Sequence, residues 1–125
     1  MPTTSEDAVV GAWHDLLDRH ARVQSALERA LEEGHGLGVS EFEVLDRLAN
    51  HEGDACRIQH LLENLYLSQS ALSRVVARLE AEGLVERAIC DYDRRGIFAS
   101  LTAAGRKRHA QALPTHREVL REMLG

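Results

Sequence analysis

The chain has 125 residues, of which 44% are hydrophobic, and a formal net charge of −5, which predicts one compact domain with a modest core. No apolar run approaches the roughly 18 residues of a membrane span, and the acidic N-terminus is unlike a signal peptide, so we expect a cytoplasmic protein with no membrane partner. Cys56 and Cys90 lack CxxC spacing, which argues against a disulfide framework.

The first predicted element is a long helix that Ser5 caps and that ends near Glu33, before a glycine-rich stretch over 34–38. One side of this helix carries an apolar stripe with one histidine: Trp13, Leu16, Leu17, His20, Val23, Leu27 and Leu31. Ser40 and Glu43 form a predicted capping box that opens a second helix.

Residues 56–65 are the third predicted helix, and after a short polar turn a fourth helix follows its N-cap, Ser68, and ends at Gly83. An apolar stripe marks the buried face of the fourth helix: Leu72, Val75, Val76 and Leu79. The opposite face collects small or hydrogen-bonding residues: Gln69, Ser70, Ser73, Arg74 and Ala77. Such a face suits the edges of DNA bases, with Ser68 near a phosphate.

Any amphipathic helix has a polar outer face, so this face could be either a DNA-contact surface or an ordinary solvated surface. The segment that follows decides between these two explanations. Two short strands, 84–90 and 97–101, flank a charged tip over 91–96, and a helix-turn-helix followed by such a hairpin is a winged helix. Arg94 and Arg95 fit the narrow, electronegative minor groove. Asp93 can hold Arg95 by a bidentate ion pair and so orient it.

A last helix begins after Thr102, its predicted N-cap. The elements together predict a mainly α fold with a small β-hairpin wing, of the α+β class. We expect one domain over 1–125, in which 40–101 form the DNA-binding winged helix. The helices over 1–34 and 102–125 are long, and a helix-turn-helix of this size cannot cover either of them fully.

Three motifs occur in order along nearly the whole chain. The first comprises Leu72-Ser73-Arg74, Arg78-Leu79-Glu80 and Gly83-Leu84-Val85; the second, Asp91 and Asp93-Arg94-Arg95-Gly96; the third, Leu101-Thr102 and Gly105. Together they resemble the MarR family of bacterial transcriptional regulators. The resemblance implies a homodimeric repressor whose terminal helices interlock two subunits on a palindromic operator. It also implies that a small phenolic or other ligand, or oxidation, relieves the repression. Relatives usually continue beyond the position of Gly125, so it also implies that a further dimerisation helix is missing.

The acidic balance is the main argument against a DNA-binding protein. Residues 1–52 carry 4 basic and 11 acidic side chains, whereas 68–101 carry 5 of each and 102–125 carry 5 basic and 2 acidic. The acidic excess therefore lies in the N-terminal half, away from the proposed contact surface. Because few phosphates would be neutralised, we expect weak non-specific binding.

A ligand pocket of the kind the family implies would lie between the first two helices and the winged-helix core. It would include Trp13, His14, His20 and Arg47. Trp13 can stack on an aromatic ring, and a histidine or arginine can meet a carboxylate. Core packing is the simpler explanation of Trp13 and His20.

Redox sensing is a second mode of regulation, with Cys56 at a helix start and Cys90 beside the wing arginines as candidates. Peroxide-sensing relatives carry their cysteine near the start of the first helix, where this chain has none, and a buried structural thiol is the default. No histidine pair has the i, i+4 spacing of a metal site, and no catalytic motif occurs, so we expect no metal, no cofactor and no enzyme.

An alternative from another functional class is a protein-interaction module. In that case the winged helix would not bind DNA specifically, and the acidic N-terminal half would dock a basic partner protein. An architectural, sequence-independent DNA-binding protein is disfavoured by the low lysine count. Replacing Arg95 by alanine separates the two main classes, because only a DNA-binding protein needs that side chain.

Overall fold

The computed structural model describes residues 5–51, 56–89 and 97–125. Its elements in chain order are α1 (Glu6–His35), α2 (Val39–Ala49), β1 (Cys56–Arg57), α3 (Ile58–Asn64), α4 (Gln69–Ala81), β2 (Val85–Ile89), β3 (Ile97–Leu101) and α5 (Ala103–Leu124). The strands form an antiparallel sheet in the order β1-β3-β2. The predicted mainly helical winged-helix fold is confirmed. Among the described helices, none is long and apolar enough to cross a membrane.

Local capping interactions position most helix starts as predicted. The Ser5 hydroxyl accepts a hydrogen bond from the Ala8 amide at 3.2 Å, and the Thr102 hydroxyl accepts one from the Gly105 amide at 3.0 Å. α1 runs slightly further than predicted and ends at His35. Its C-cap is Gly36, whose φ of +64° is a left-handed conformation that favours glycine.

The predicted capping box of α2 is wrong. Gly38, and not Ser40, is the N-cap, and it has no side chain to offer. Two carboxylates cap the helix instead. Glu41 Oε1 accepts a hydrogen bond from the Gly38 amide at 3.2 Å, and Glu28 Oε1 accepts one from the Val39 amide at 3.1 Å. The helix starts earlier than expected because Glu28 reaches across from α1.

The predicted helix start at Cys56 is also wrong. Cys56 and Arg57 are extended and pair with Ala99 and Phe98 of β3. This pairing satisfies backbone groups that a helix N-terminus would leave free, and it buries the Cys56 side chain. The supporting helix α3 consequently begins at Ile58.

The core lies between the winged-helix elements and the C-terminal half of α1, with α5 closing one side. Its largest buried side chains are Leu31, Leu37, Phe42, Val44, Leu45, Leu61, Leu72, Val76, Leu79 and Val85. α1 and α5 are linked by His35 Nε2 and Thr115 Oγ1, 2.8 Å apart, and by Arg108, which donates to the His35 carbonyl at 3.1 Å.

The N-terminal half of α1 does not share in this core. Its apolar side chains are 45–60% exposed: Val9, Val10, Trp13, Leu16 and Leu17. Met123 and Leu124, near the end of α5, are 37% and 50% exposed. The single chain therefore leaves apolar surface uncovered on both terminal helices.

Candidate nucleic-acid interface

Helix α4 turns its predicted contact face to solvent. Leu72, Val76 and Leu79 are buried in the core, which fixes the rotation of the helix. The predicted contact residues Gln69, Ser70, Ser73 and Arg74 are all exposed. A helix of 13 residues is about 20 Å long, and its diameter matches the roughly 12 Å width of the major groove.

Ser68 marks the N-terminal end of this face. Its Oγ accepts a hydrogen bond from the Ala71 amide at 3.1 Å, so it is the N-cap that the sequence predicts. The same oxygen lies 3.3 Å from Ser70 Oγ. Because capping uses the oxygen as an acceptor, the hydroxyl hydrogen can be donated to Ser70 or to a phosphate.

The base of the wing is anchored to α4. Strands β2 and β3 pair from Val85 opposite Leu101 to Ile89 opposite Ile97. Arg87 on β2 donates two hydrogen bonds to Glu80 Oε1 of α4, at 2.8 and 3.1 Å, and its guanidinium lowers the pKa of that carboxyl. The hairpin therefore leaves the sheet at a fixed position relative to α4.

The predicted tip of the wing lies outside the described residues. This applies to Asp93, Arg94 and Arg95, and also to the redox candidate Cys90. Their assigned roles stay predictions.

The single chain does not bring the four predicted ligand residues together. Trp13, His14 and His20 are exposed on the N-terminal half of α1. Arg47 is exposed on α2, where its Nη2 donates to the Asn64 carbonyl at 3.4 Å. It lines a cavity of about 250 Å³ between α2, the α3–α4 turn and α5, which it shares with Tyr66 and His116.

Sequence reasoning missed a polar cluster between α2 and α5. Asp46 accepts hydrogen bonds from His109 Nε2 at 2.7 Å and from Arg117 Nη2 at 3.1 Å, and Arg117 Nη1 lies 2.6 Å from His116 Nδ1. Both histidine rings stack on Phe42, at centroid distances of 5.6 and 4.4 Å. The spacing of His109 and His116, two helical turns, is the signal that could have placed them on one buried face.

Burial and charge shift the pKa values in this cluster. Burial alone would raise the pKa of Asp46, but the hydrogen bonds from His109 and Arg117 outweigh it and lower that pKa. Burial, aided by the Arg117 charge, lowers the pKa of His116 against the attraction of Asp46. The cluster thus favours an ionised Asp46 beside a neutral His116.

Cys56 has the opposite properties to those of a thiolate sensor. It is 3% exposed, and burial raises the pKa of its thiol against the opposing charge of Arg47. Within the described ranges, no three His, Cys, Asp or Glu side chains are grouped so that they could hold a metal ion.

The three-stranded sheet, the anchored hairpin and the exposed face of α4 define the class of winged helix-turn-helix proteins. The sequence model of the MarR family matches residues 35–96. AbsC, a solved MarR family structure, is 31% identical to this chain, and the similarity covers 82% of AbsC. This chain therefore belongs to the MarR family, as the sequence motifs predicted.

Two solved structures cover nearly the whole chain. AbsC, a MarR family transcriptional regulator from Streptomyces coelicolor, is 31% identical with a TM-score of 0.86, over 99% of this chain and 82% of AbsC. Sco3205 of the same organism, solved in complex with DNA, is 27% identical with a TM-score of 0.89, over 99% of this chain and 78% of Sco3205.

A further relative is MhqR, an HTH-type transcriptional regulator of Bacillus subtilis (strain 168). It is 33% identical over 90 residues, which are 72% of this chain and 61% of MhqR. The chain therefore spans less than two thirds of the length of that relative.

Proposed function

We propose that this chain regulates transcription by binding an operator sequence with α4 in the major groove. The exposed face of α4 is the observation that carries the proposal, since it offers Gln69, Ser70, Ser73 and Arg74 together on a rigid, core-anchored helix. The similarity to Sco3205, which was solved with DNA, supports the same use of the fold. Ser68 lies near a phosphate, and Arg94 and Arg95, with Asp93 orienting Arg95, enter the minor groove.

Arg74 is the principal base-reading residue in this proposal. A guanidinium can bond O6 and N7 of one guanine, and a bidentate pair of this kind contributes about 1–3 kcal/mol of discrimination. Serine hydroxyls accept or donate and so discriminate less. Specificity should therefore depend most strongly on Arg74.

The test is fluorescence anisotropy on the DNA upstream of the protein's own gene and on a scrambled duplex. Arg74→Ala should weaken operator binding by roughly 10- to 100-fold and scarcely change binding to the scrambled duplex. Arg29→Ala, which removes an exposed arginine of α1, is the matched control and should bind as the unaltered chain does. Equal operator affinity of both variants would contradict the assignment.

We further infer that two copies of the chain associate through the terminal helices. The uncovered apolar side chains on α1, with Met123 and Leu124 of α5, support this inference, because exposed apolar side chains grouped on a surface mark interaction sites. A two-fold dimer would place the two α4 helices about 34–36 Å apart, on a palindromic operator. Sedimentation velocity should show a dimer, and Leu16→Glu should make it a monomer. Ala8→Glu, on another side of α1, should leave the dimer intact.

We infer a small aromatic or phenolic effector that relieves binding, with Arg47 as its charged contact. Arg47 lines the 250 Å³ cavity beside Tyr66 and His116, and Trp13, His14 and His20 remain ligand candidates that a second copy would have to bring nearby. In a thermal-shift screen of phenolic acids, binding compounds should raise the unfolding temperature. Arg47→Ala should abolish that increase.

Two alternatives keep separate tests. Redox regulation would depend on Cys90, because Cys56 is buried; Cys90→Ser would then keep operator binding in the presence of peroxide. A protein-interaction module would tolerate Arg95→Ala, whereas an operator-binding regulator would lose affinity.

A further inference from the structure

Glu41, on the first turn of α2, is a buried carboxylate. Its side chain is 9% exposed, and Oε1 both accepts from the Gly38 amide at 3.2 Å and lies 3.5 Å from Arg78 Nη1. In the described part of the chain, Oε2 is the one buried side-chain nitrogen or oxygen without a hydrogen-bond partner. Burying such an oxygen costs stability, and a glutamine would cap Gly38 equally well. Helix capping alone therefore does not explain why residue 41 is a charged glutamate and not a glutamine.

Arg78 carries the other half of this contact. It follows Arg74 by one turn of α4, and its side chain is 69% exposed. Both arginines and Glu41 line one cleft of about 190 Å³ between α2 and α4. Like charges at positions i and i+4 repel, so the Glu41 carboxylate offsets a repulsion that the two arginines create.

The position of Arg78 suits a contact with the DNA backbone. It lies about 40° around α4 from Arg74, at the edge of the exposed serine face and not at its centre. In protein–DNA complexes, contacts with phosphates border those with bases and fix the register of the helix.

We propose that Arg78 is a phosphate-contacting residue and that Glu41 is its positioning residue; this rests on the proposed operator binding. Glu41 holds the Arg78 guanidinium beside Arg74 in the free protein. The side chain then loses less rotamer freedom when DNA binds, because an ordered guanidinium is already in place. Glu41 makes no contact with DNA in this proposal.

The test measures anisotropy over a series of salt concentrations, on operator and scrambled duplexes. Arg78→Ala should weaken binding to both duplexes by a similar factor, roughly tenfold, and lower the slope of log K against log[salt] by about 0.9 per protomer. Arg78→Lys should keep the slope and lose part of the affinity, since it retains the charge but not the planar fork.

Glu41→Gln separates positioning from plain electrostatics. The amide oxygen still accepts from Gly38, so α2 keeps its cap, and urea unfolding checks that the fold is retained. Removing a negative charge near DNA should by itself strengthen binding. Loss of positioning should instead weaken binding by about threefold or more, and the slope of log K against log[salt] should not change. Glu63→Gln, at an exposed position on α3 and outside the cleft that Arg78 lines, makes the same charge change and should bind as tightly as before or more tightly.

Each outcome has a distinct meaning. If the unaltered chain does not prefer the operator to the scrambled duplex, the proposed function itself fails. If it does, and Arg78→Ala keeps both affinity and slope, the phosphate contact is refuted. Glu41→Gln binding as tightly as Glu63→Gln would refute the positioning role.

Discussion

Replacing Gly105 by alanine is expected to destabilise the fold, because α5 starts in close contact with the segment that leaves α4. A Cβ at this position would lie 2.0 Å from the Leu84 carbonyl oxygen and 3.3 Å from Leu101 Cδ2. An unstrained carbon–oxygen contact needs about 3.3 Å, so the backbone must shift by more than an ångström. The Leu84 oxygen also accepts from the Thr102 amide at 3.1 Å, and the same shift strains this bond.

The magnitude follows from three contributions. Overpacking of this kind costs roughly 1–3 kcal/mol, and weakening the bond to the Thr102 amide adds up to about 1 kcal/mol. The higher helix propensity of alanine returns at most about 1 kcal/mol. We expect Gly105→Ala to lower the free energy of unfolding by about 2 kcal/mol, and Tm by roughly 5–10 °C.

The assay is urea unfolding followed by circular dichroism at one fixed protein concentration, since association would shift the midpoint. Gly34→Ala is the matched control, because Gly34 lies in α1 and an added Cβ meets nothing within 4 Å. That variant should be as stable as the unaltered chain, or up to about 1 kcal/mol more stable. If Gly105→Ala is as stable as Gly34→Ala, the close packing of α5 on Leu84 is refuted.

Three further predictions concern the cap, the buried histidine and the buried thiol. Ser68→Ala should lose about 1 kcal/mol of unfolding free energy in urea, and Ser68→Asp should retain most of it; equal stability of all three chains would argue against the cap. The folded state lowers the pKa of His116, so its contribution to stability is complete above the unfolded pKa near 6.5 and is lost as pH falls through the lower folded value. Chemical unfolding at pH 5–8 should show this decline, and His116→Gln should make it shallower; an unchanged profile contradicts the assignment. In a Cys90→Ser background, Cys56 should react with iodoacetamide far more slowly in the folded chain than in urea, and equal rates would contradict its burial.

Local interactions made much of this fold predictable. The caps of α1, α4 and α5 depend on Ser5, Ser68 and Thr102, each of which bonds an amide three residues on. The apolar stripe of α4 likewise fixed which face is buried, because helix periodicity alone sets it. Each of these features depends only on residues close in sequence, so it can be predicted without knowing the tertiary structure.

The errors arose where distant residues compete with local ones. Glu28 of α1 caps the Val39 amide, so α2 starts before its predicted capping box. β1 forms because Cys56 pairs with Ala99, 43 residues further along the chain, and no local sequence pattern predicts that pairing. Sequence reasoning also missed Asp46 and His109, which meet across 63 residues and depend on the packing of α5 on α2.

The most direct test of the central claim is the ratio of affinities for the upstream duplex and a scrambled duplex, measured by anisotropy at low and at physiological salt. We expect saturable operator binding at nanomolar to sub-micromolar protein, at least about a hundredfold tighter than binding to the scramble. Equal affinity for both duplexes, or no binding to either, would contradict the assignment of α4 as a sequence-reading helix.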